Sequence, residues 1–319
     1  MGFPRGAVIA VVGPTASGKS DLAIELARHF DGEVVSADSM QVYRGMDIGT
    51  AKVPASRRVV KHYGIDLVDP GEPYSAALYQ GYARAAFDEI AAKGRTPVLC
   101  GGTGFYVRAA LDDYRFAEGE QVGNEVRDSY LALLEVAGSE HVWGELLRLD
   151  PESAHRIHPN DAKRVVRALE MHAAGESYAE RLDRLHAIGE SVPAAFVGID
   201  VDRDVLRARI DQRVDRMREE GLVAEVEGLI GKGFKDGVTA KHAIGYKEVA
   251  LALEGAIGMD EAFERIKVST RRYAKRQRTW FRADGRIAWI DGNAHDLGLM
   301  LEQACETMEE NAEKGHHGN

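Results

Sequence analysis

One octapeptide near the N-terminus limits the possible folds of this chain more than any other stretch: Gly13-Pro14-Thr15-Ala16-Ser17-Gly18-Lys19-Ser20. It matches the pattern G-x-x-x-x-G-K-[ST] at every fixed position. The continuous apolar run Ala7–Val12 before it is typical of a strand buried on both faces. After it, Leu22, Leu26 and Phe30 are apolar at helical spacing. A strand, a glycine-rich loop and a helix in this order surround an anion with backbone N–H groups, so the stretch predicts a polyphosphate site.

Two side chains at the end of this loop have predicted roles of their own. The Lys19 ammonium supplies a point charge for the phosphates, and the Ser20 hydroxyl supplies a ligand for Mg²⁺, the metal cofactor that the sequence predicts. The predicted phosphate-binding set is the whole loop, namely Gly13, Pro14, Thr15, Ala16, Ser17, Gly18, Lys19 and Ser20.

The first 111 residues predict an α/β fold. Further short strands are expected at Glu33–Ser36, Tyr63–Asp69 and Thr96–Cys100, and a helix at Ser75–Ala92. Alternating strands and helices favour a doubly wound parallel sheet with helices on both faces, similar to the P-loop NTPase fold. The polar, glycine-containing segment Ala37–Lys52 leaves the carboxyl end of the second strand, where open α/β sheets bind ligands.

A helical region then interrupts this pattern. Helices are expected at Asn124–Ala137, His141–Leu149 and Asp161–Ala174, the last with Asn160 as its N-cap. A strand at Phe196–Val201 restores the α/β pattern. The predicted domains are an α/β core of residues 1–111 and 196–310 that includes the C-terminal helices, an all-helical insertion of residues 112–195, and a disordered tail of residues 311–319.

Charge is unevenly distributed along the chain. The formal net charge is −10, which taken alone argues against a nucleic-acid partner. Residues 265–286, however, contain nine lysines and arginines against the single acid Asp284, with the aromatic residues Tyr273, Trp280 and Phe281 among them. This distribution predicts a locally basic surface that binds a phosphate backbone.

Other features predict where the protein works. No apolar run is long enough to span a bilayer, and the first strand begins too close to the N-terminus to leave room for a signal peptide. The two cysteines, Cys100 and Cys305, are far apart and form no metal-ligand pattern. We therefore expect a cytoplasmic protein with no membrane partner and, since no coiled-coil pattern is present, a monomer.

The phosphate loop alone is compatible with an ATPase, a GTPase, a small-molecule kinase or a transferase that releases diphosphate. The absence of an N-K-x-D motif argues against a GTPase. Nucleotide hydrolases place an acid after an apolar strand to hold Mg²⁺, whereas Val98–Cys100 leads into Gly101-Gly102. Asp38 is the acid just past an early strand, and it is a candidate metal ligand or a candidate base. A nucleotide kinase and a non-catalytic RNA-binding module are the alternatives to a transferase.

Longer blocks of sequence carry a family resemblance. They are Gly13–Ser20, Asp38–Lys52 (DSMQVYRGMDIGTAK), Gly101–Gly104 (GGTG), His158–Asp161 (HPND) with Arg164, Arg167–Glu170 (RALE), Ala243–Glu248 (AIGYKE) and Thr270–Phe281 (TRRYAKRQRTWF). These blocks resemble the tRNA dimethylallyltransferase family and are collinear with it over nearly the whole chain, excluding the tail. The Asp38–Lys52 block and Lys275–Gln277 are far more specific than the phosphate loop, which many families share.

The resemblance implies transfer of a dimethylallyl group from dimethylallyl diphosphate to N6 of the adenosine 3′ of the anticodon (position 37) in tRNA, with release of diphosphate. The implied catalytic residues are Asp38 as general base, Thr103, Lys19 and Ser20. The loop cradles the diphosphate in this scheme, and Arg213 closes over it. The target base must leave its stack in the anticodon stem-loop to reach the site.

The same resemblance implies tRNA contacts from several parts of the chain. The implied residues are Asp38, Ser39, Met40, Gln41, Thr103, Arg127, Lys163, Arg164, Val165, Val166, Arg167, Lys241, His242, Ala243, Ile244, Gly245, Tyr246, Lys275, Arg276, Gln277, Arg278 and Trp280. The sequence departs from the family pattern at Lys163, where glutamine is common, at Phe105, where leucine is usual, and in residues 112–123, which lack the expected prolines. The last departure leaves the position of the Arg127 contact open. The sequence does not indicate which tRNAs are modified or which other prenyl donors are used.

Overall fold

The structure, a computed structural model, describes residues 6–114, 116, 124–186 and 189–316. The chain divides into two compact units. The core unit contains residues 1–112 and 191–319, and the insert unit contains residues 113–190. Among the described residues, no helix combines the length and the apolar character that crossing a bilayer requires.

Parallel strands and surrounding helices form the core unit, and helices form the insert unit. The strands are β1 (Val8–Val12), β2 (Gly32–Ser36), β3 (His62–Tyr63), β4 (Thr96–Gly101), β5 (Ala194–Asp200) and β6 (Ile287–Asp291). The helices are α1 (Lys19–His29), α2 (Ala76–Ala92), α3 (Gly104–Leu111), α4 (Glu125–Ala137), α5 (Ser139–Leu149), α6 (Pro151–Arg156), α7 (Ala162–Ala173), α8 (Tyr178–His186), α9 (Arg203–Glu219), α10 (Leu222–Ile230), α11 (Tyr246–Leu253), α12 (Met259–Arg282) and α13 (Leu297–His316). The 3₁₀ turns Ala55–Arg57 and Ala240–His242 lie in the core unit.

The sheet has the strand order β3-β2-β4-β1-β5-β6, and every neighbouring pair is parallel. β1 and β2 are buried along their whole length, because helices cover both faces of the sheet. β1 and β2 both neighbour β4, so the segments that follow these three strands leave the same edge of the sheet side by side. The predicted α/β fold with a P-loop-like parallel sheet is confirmed.

Capping side chains determine where several helices begin. Ser75 Oγ accepts a hydrogen bond from Leu78 N at 3.3 Å at the start of α2. Asn124 Oδ1 accepts one from Val126 N at 3.0 Å at the start of α4. At α7 the cap is the side chain of Asp161, which accepts from Arg164 N at 3.3 Å, and the prediction of Asn160 was wrong.

Helix α13 differs from the prediction at its end. The sequence predicts a disordered tail from residue 311, whereas α13 continues to His316. Residues 317–319 of that predicted tail lie outside the described residues.

Each unit has its own hydrophobic core. The core of the core unit includes β1 and β4 together with Leu22 and Leu26 of α1 and Tyr79 and Ile90 of α2. The core of the insert unit consists of Val142, Leu146, Ala154, Ile157, Val165, Val166, Ala168 and Leu169. The insert unit therefore buries Val165 and Val166, two of the side chains that the family resemblance assigns to tRNA contact.

Candidate active site

The phosphate loop joins β1 to α1 and is closely packed at its last glycine. Gly18 is the N-cap of α1 and has a left-handed φ of 94°, which favours glycine over residues with a side chain. A Cβ at Gly18 would also lie 2.8 Å from the ring of His295. The backbone conformation thus favours the second fixed glycine of the motif, and a side chain there would also displace the His295 ring.

Lys19 and Arg213 place two positive charges at this loop. Lys19 Nζ donates a hydrogen bond to the Pro14 carbonyl at 3.3 Å, and Arg213 Nη1, from α9, donates to Thr15 Oγ1 at 3.0 Å. Burial lowers the pKa of both side chains, and the charge of Arg213 lowers the pKa of Lys19 further. Neither cation forms an ion pair with a carboxylate among the described residues. The loop therefore carries positive charge that a bound anion would neutralise.

Asp38 and Thr103 follow the carboxyl ends of β2 and β4, next to the phosphate loop. Asp38 Oδ1 accepts a hydrogen bond from Met40 N at 2.9 Å, which closes a tight turn. Thr103 Oγ1 accepts one from Ser39 N at 3.1 Å. Because Ser39 directly follows Asp38, the Thr103 hydroxyl fixes the segment that carries the carboxylate.

One cavity of the core unit brings together three of the four predicted catalytic residues, and its lining does not include the fourth, Thr103. Asp38 lines it with Lys19, Ser20 and Arg213. Apolar groups form another part of its wall: Val34, Ala51, Val53 and Cys100. Burial raises the pKa of the Cys100 thiol to about 11, so this side chain is neutral near pH 7 and adds to the apolar wall. The cavity offers a carboxylate, a cationic site and an apolar surface within one enclosure.

A larger cavity of about 970 Å³ shares Lys19, Ser20 and Arg213 with the first. It is further lined by Arg209 and Arg216 of α9, and by Arg57 and Arg58 of the core unit. No short motif contains Arg57, Arg58, Arg209 or Arg216, so these four cations were not predicted from the sequence. One signal was available, since Arg209, Arg213 and Arg216 are spaced i, i+4, i+7 and therefore share one face of α9.

The Asp38–Lys52 segment is held by hydrogen bonds within itself. Gln41 accepts from Ser36 Oγ at 2.9 Å and donates to the Thr50 carbonyl at 3.2 Å. The Lys52 side chain is only 2% exposed, and its ammonium donates to three groups. These are the Tyr43 carbonyl at 2.6 Å, Asp47 Oδ1 at 2.8 Å and Asp66 Oδ1 at 2.6 Å.

Glu225 of α10 holds the same segment from outside. Its carboxylate accepts hydrogen bonds from Ile48 N at 2.8 Å and from Gly49 N at 3.4 Å. The Tyr246 hydroxyl donates to it at 2.5 Å. Burial, followed by the charge of Glu225, raises the pKa of Tyr246, so the phenol stays protonated as the donor.

The predicted tRNA contacts at residues 241–246 divide by exposure. Lys241 and His242 are exposed, whereas Ala243, Gly245 and Tyr246 are buried and Ile244 is half-buried. Tyr246 is fully enclosed and engaged with Glu225. Side-chain contact with an external ligand is therefore available to Lys241 and His242, and in part to Ile244.

Carboxylates of the core unit neutralise much of the predicted basic stretch. Asp200 pairs with Arg278 at 3.1 Å and with Arg282 at 2.5 Å. Other ion pairs join Lys267 to Asp215, Arg271 to Asp211 and Arg286 to Asp112. Among the described residues, the exposed side chains of the stretch without a carboxylate partner are Arg272, Lys275 and Arg276. We refer to these three as the basic face of α12.

Two further predicted contact residues in α12 differ in their surroundings. Trp280 is 45% exposed, and its indole covers Gly104, where a Cβ would lie 2.1 Å from the ring. Gln277 is buried and hydrogen-bonded to Thr15 and to Gly102. Trp280 is thus accessible from solvent, whereas the amide of Gln277 lies beside the phosphate loop.

The insert unit presents four predicted tRNA contacts at its surface. Lys163 and Arg164 are exposed on α7. Arg127 of α4 and Arg167 of α7 are each 32% exposed and pair with the same carboxylate, that of Glu170.

Comparison with known proteins identifies relatives over almost the whole chain. Residues 41–284 match the family model described as IPP transferase, and residues 6–61 match the one described as isopentenyl transferase. The tRNA dimethylallyltransferase of Exiguobacterium sp. AT1b is 46% identical over 303 residues, which cover 95% of this chain and 96% of the relative. That of Rhodococcus jostii is 47% identical over 292 residues, covering 91% of this chain and 93% of the relative.

Solved structures of tRNA isopentenyl- and dimethylallyltransferases also superpose on this chain. A tRNA isopentenylpyrophosphate transferase from Bacillus halodurans superposes with a TM-score of 0.70 at 38% identity, covering 98% of this chain and all of that one. A eukaryotic dimethylallyltransferase crystallised while acting on tRNA superposes with a TM-score of 0.73 at 29% identity, covering 94% of this chain and 77% of that one.

Proposed function

The chain belongs to the tRNA dimethylallyltransferase family of prenyltransferases, and on this premise we propose that it transfers a dimethylallyl group from dimethylallyl diphosphate to N6 of the adenosine 3′ of the anticodon (position 37) in tRNA. One observation carries the proposal: a single cavity brings Asp38 together with Lys19, Ser20, Arg213 and an apolar wall. The reaction needs a base, a site for a leaving diphosphate and a surface for a five-carbon chain.

The phosphate loop binds the diphosphate of the donor. Lys19 and Arg213 lack carboxylate partners among the described residues, and burial disfavours their charged forms in the free protein. A bound diphosphate supplies the opposite charge and favours these forms again. Val34, Ala51 and Val53 accommodate the dimethylallyl carbons next to this anion site.

Mg²⁺ is the proposed cofactor, with the Ser20 hydroxyl as its protein ligand. Mg²⁺ keeps several waters and takes one or two protein oxygens when substrate phosphates supply others, so a hydroxyl that lines the cavity fits this chemistry. The described residues contain no group of three or more His, Cys, Asp or Glu side chains suited to a metal site built from protein alone. When bound, Mg²⁺ supplies positive charge to the leaving diphosphate.

The transfer exchanges a C–O bond for a C–N bond. The bond between N6 and C1 of the dimethylallyl group forms as the C1–O bond breaks, and the electron pair of that bond leaves with the diphosphate oxygen. Lys19 and Arg213 stabilise the charge that develops on this oxygen. The proton released from N6 passes to the Asp38 carboxylate, which acts as general base. The Thr103 hydroxyl accepts a hydrogen bond from Ser39 N and so positions the Asp38 carboxylate, the general base.

Exposed cations bind the phosphate backbone of the anticodon stem-loop. In the core unit they are Lys241 and the basic face of α12, and in the insert unit Lys163 and Arg164. Such contacts position the RNA without reading its sequence and weaken as salt increases. The target adenine leaves its stack to reach the Asp38 cavity, at a cost of a few kcal/mol that the backbone contacts offset.

Nucleoside mass spectrometry tests the proposal. Unmodified tRNA is incubated with the protein, Mg²⁺ and dimethylallyl diphosphate, and a parallel sample contains ATP in place of the prenyl donor. We expect N6-dimethylallyladenosine in the first sample alone, and digestion of the product should locate it 3′ of the anticodon. ATP consumption without prenylation would instead favour a kinase and contradict the proposal.

A further inference from the structure

Gln277 lies in the middle of the basic stretch of α12, between Arg276 and Arg278, yet its side chain is directed into the core unit. The residue is 5% exposed. Its Oε1 accepts a hydrogen bond from Thr15 N at 2.9 Å, and its Nε2 donates to the Gly102 carbonyl at 2.9 Å. Both ends of the amide are therefore occupied by backbone groups of the active site.

The two backbone partners belong to different parts of the site. Thr15 is in the phosphate loop after β1, and Gly102 is in the turn after β4, directly before Thr103. Arg213 holds the side chain of the same Thr15 at 3.0 Å. The Gln277 amide thus fixes the distance between the loop that binds the leaving group and the turn that carries Thr103.

The turn at Gly102 packs closely against this amide. A Cβ at Gly102 would lie 2.2 Å from Gln277 Nε2, so the turn approaches the amide as closely as only glycine permits. Tyr273, one helical turn earlier, is half-buried; burial raises its pKa, and the side chains of Thr103 and Gln277 lower that pKa by a smaller amount. Positions 273 and 277 are i and i+4, so one face of α12 supports the active site.

The exposed residues of α12 form a different surface. Arg272, Lys275 and Arg276 are exposed and have no carboxylate partner among the described residues. A phosphate backbone can reach these three side chains, whereas the Gln277 amide is enclosed and already bonded. The helix therefore combines a basic face with a face that supports the catalytic site.

We propose that Gln277 is a positioning residue that sets the phosphate loop against the Thr103 turn and does not contact tRNA. This inference rests on the proposed function, since it assigns roles to the same site. It replaces the contact with tRNA that the family resemblance implies for this position. Loss of the amide should therefore affect diphosphate binding and the transfer rate and leave tRNA affinity unchanged.

Two substitutions of Gln277 and one matched control test this role. Gln277→Met removes both hydrogen bonds with little change in volume, and Gln277→Asn keeps an amide that is one methylene shorter. Lys275→Gln removes an exposed charge from the basic face two residues earlier. For each protein we would measure the Kd of unmodified tRNA in the absence of donor, the Kd of inorganic diphosphate with Mg²⁺, and the single-turnover rate of transfer.

For Gln277→Met we expect the product of transfer rate and diphosphate affinity to fall roughly 10- to 100-fold, the range for two lost buried hydrogen bonds. The Kd of tRNA should stay within about twofold of wild type, since no phosphate contact is removed. Lys275→Gln should show the reverse pattern, with weaker tRNA binding and unchanged diphosphate binding. If Gln277→Met does not fold, as judged by thermal unfolding, Gln277→Asn is measured against the same criteria.

A Gln277 variant that weakens tRNA binding as Lys275→Gln does, with diphosphate binding unchanged, would overturn the inference. Failure of the proposed function gives a different result. In that case wild type binds diphosphate but yields no prenylated adenosine, and the diphosphate Kd of the Gln277 variants still decides whether this residue positions the loop.

Discussion

The carboxylate of Glu170 accepts a hydrogen bond from the guanidinium of Arg127, Nη2 to Oε2, at 2.9 Å. Its other oxygen lies 3.0 Å from Arg167 Nη1 and accepts from Asn124 Nδ2 at 2.9 Å. Glu170 is 5% exposed, whereas each arginine is 32% exposed. One buried carboxylate thus holds two arginines side by side, each with part of its guanidinium in solvent.

Glu170→Gln should weaken tRNA binding, although it removes a negative charge from the proposed tRNA-binding surface of the insert unit. Without the carboxylate the two arginines lose a shared charge-assisted partner and no longer hold a fixed orientation. We expect an increase in the tRNA Kd of roughly threefold to tenfold, which corresponds to about one such hydrogen bond. Filter binding at several salt concentrations measures this effect. A purely electrostatic effect has the opposite sign, because removing negative charge strengthens binding to phosphates.

Glu125→Gln is the matched control for this experiment, since Glu125 is an exposed acid on α4 of the same unit. It should leave the tRNA Kd unchanged or lower it slightly. In a background with both Arg127→Ala and Arg167→Ala, Glu170→Gln should have no further effect on tRNA binding. Tighter binding by Glu170→Gln alone would show that the carboxylate does not position the arginines.

Asp38→Asn should slow transfer far more than it weakens binding. The asparagine can still accept a hydrogen bond from Met40 N, as Asp38 Oδ1 does at 2.9 Å, so the turn is retained while the base is lost. General-base catalysis contributes roughly 10²- to 10⁴-fold, and we expect a fall in the single-turnover rate within this range. Asp88→Asn, an exposed substitution on α2, serves as control and should transfer at the wild-type rate. A wild-type rate for Asp38→Asn would remove Asp38 from the mechanism.

The pH dependence of the transfer reaction should report the protonation state of Lys19. Burial lowers the pKa of Lys19 below its ordinary value of 10.5, so its charge is lost as the pH rises through that lowered pKa. Bound diphosphate raises the pKa again. The alkaline decline in kcat/KM for the donor, which reports the free enzyme, should therefore begin at lower pH than the decline in kcat.

Over the same alkaline range the contribution of Lys19 to the free energy of unfolding should rise, whereas kcat/KM falls. Because the folded-state pKa of Lys19 lies below its unfolded value, the unfolded chain binds more protons between the two. The contribution of Lys19 to the free energy of unfolding therefore rises with pH in this window. Urea unfolding at each pH shows whether the decline in kcat/KM reflects deprotonation of Lys19 or unfolding of the protein. Lys19→Arg, charged throughout the range, should lack the early decline in kcat/KM.

The sequence was sufficient to predict the α/β fold and the edge of the sheet at which the candidate catalytic residues lie. The phosphate loop was predicted from its sequence motif. Asp38 and Thr103 follow β2 and β4, and because these strands are parallel, both residues lie at the same edge of the sheet. Strand β6 was missed because Ile287–Asp291 is short and follows the long charged helix α12. Strand β3 is only His62–Tyr63, because the chain beyond it leaves the sheet at Gly64 and Asp66, which both have positive φ.

Side-chain direction within a matched block could not be predicted from the sequence. The family resemblance covers Val165, Val166, Tyr246 and Gln277 together with their neighbours, but burial separates them from the exposed cations beside them. The carboxylate partners of the basic residues in α12 could not be predicted from the sequence either. Asp200, Asp211 and Asp215 lie on β5 and α9, far along the chain from the arginines and lysine of α12 that they neutralise.

Glu225→Gln should release the Asp38–Lys52 segment from α10. The carboxylate accepts hydrogen bonds from Ile48 N, Gly49 N and the Tyr246 hydroxyl, and an amide offers one acceptor oxygen where three donors converge. We expect a loss of about 1–3 kcal/mol in the free energy of unfolding and faster amide exchange at positions 48 and 49. Glu227→Gln, on the exposed side of the same helix, should change neither quantity.

The transfer rate of Glu225→Gln should fall as well, because Asp38 and Gln41 belong to the segment that is released. Lys52 holds the segment at Tyr43 and Asp47 and is unaffected by this change. Unchanged exchange at positions 48 and 49 in Glu225→Gln would therefore mean that Lys52 alone maintains the geometry of the site. Lys52→Met would then be the variant that slows transfer.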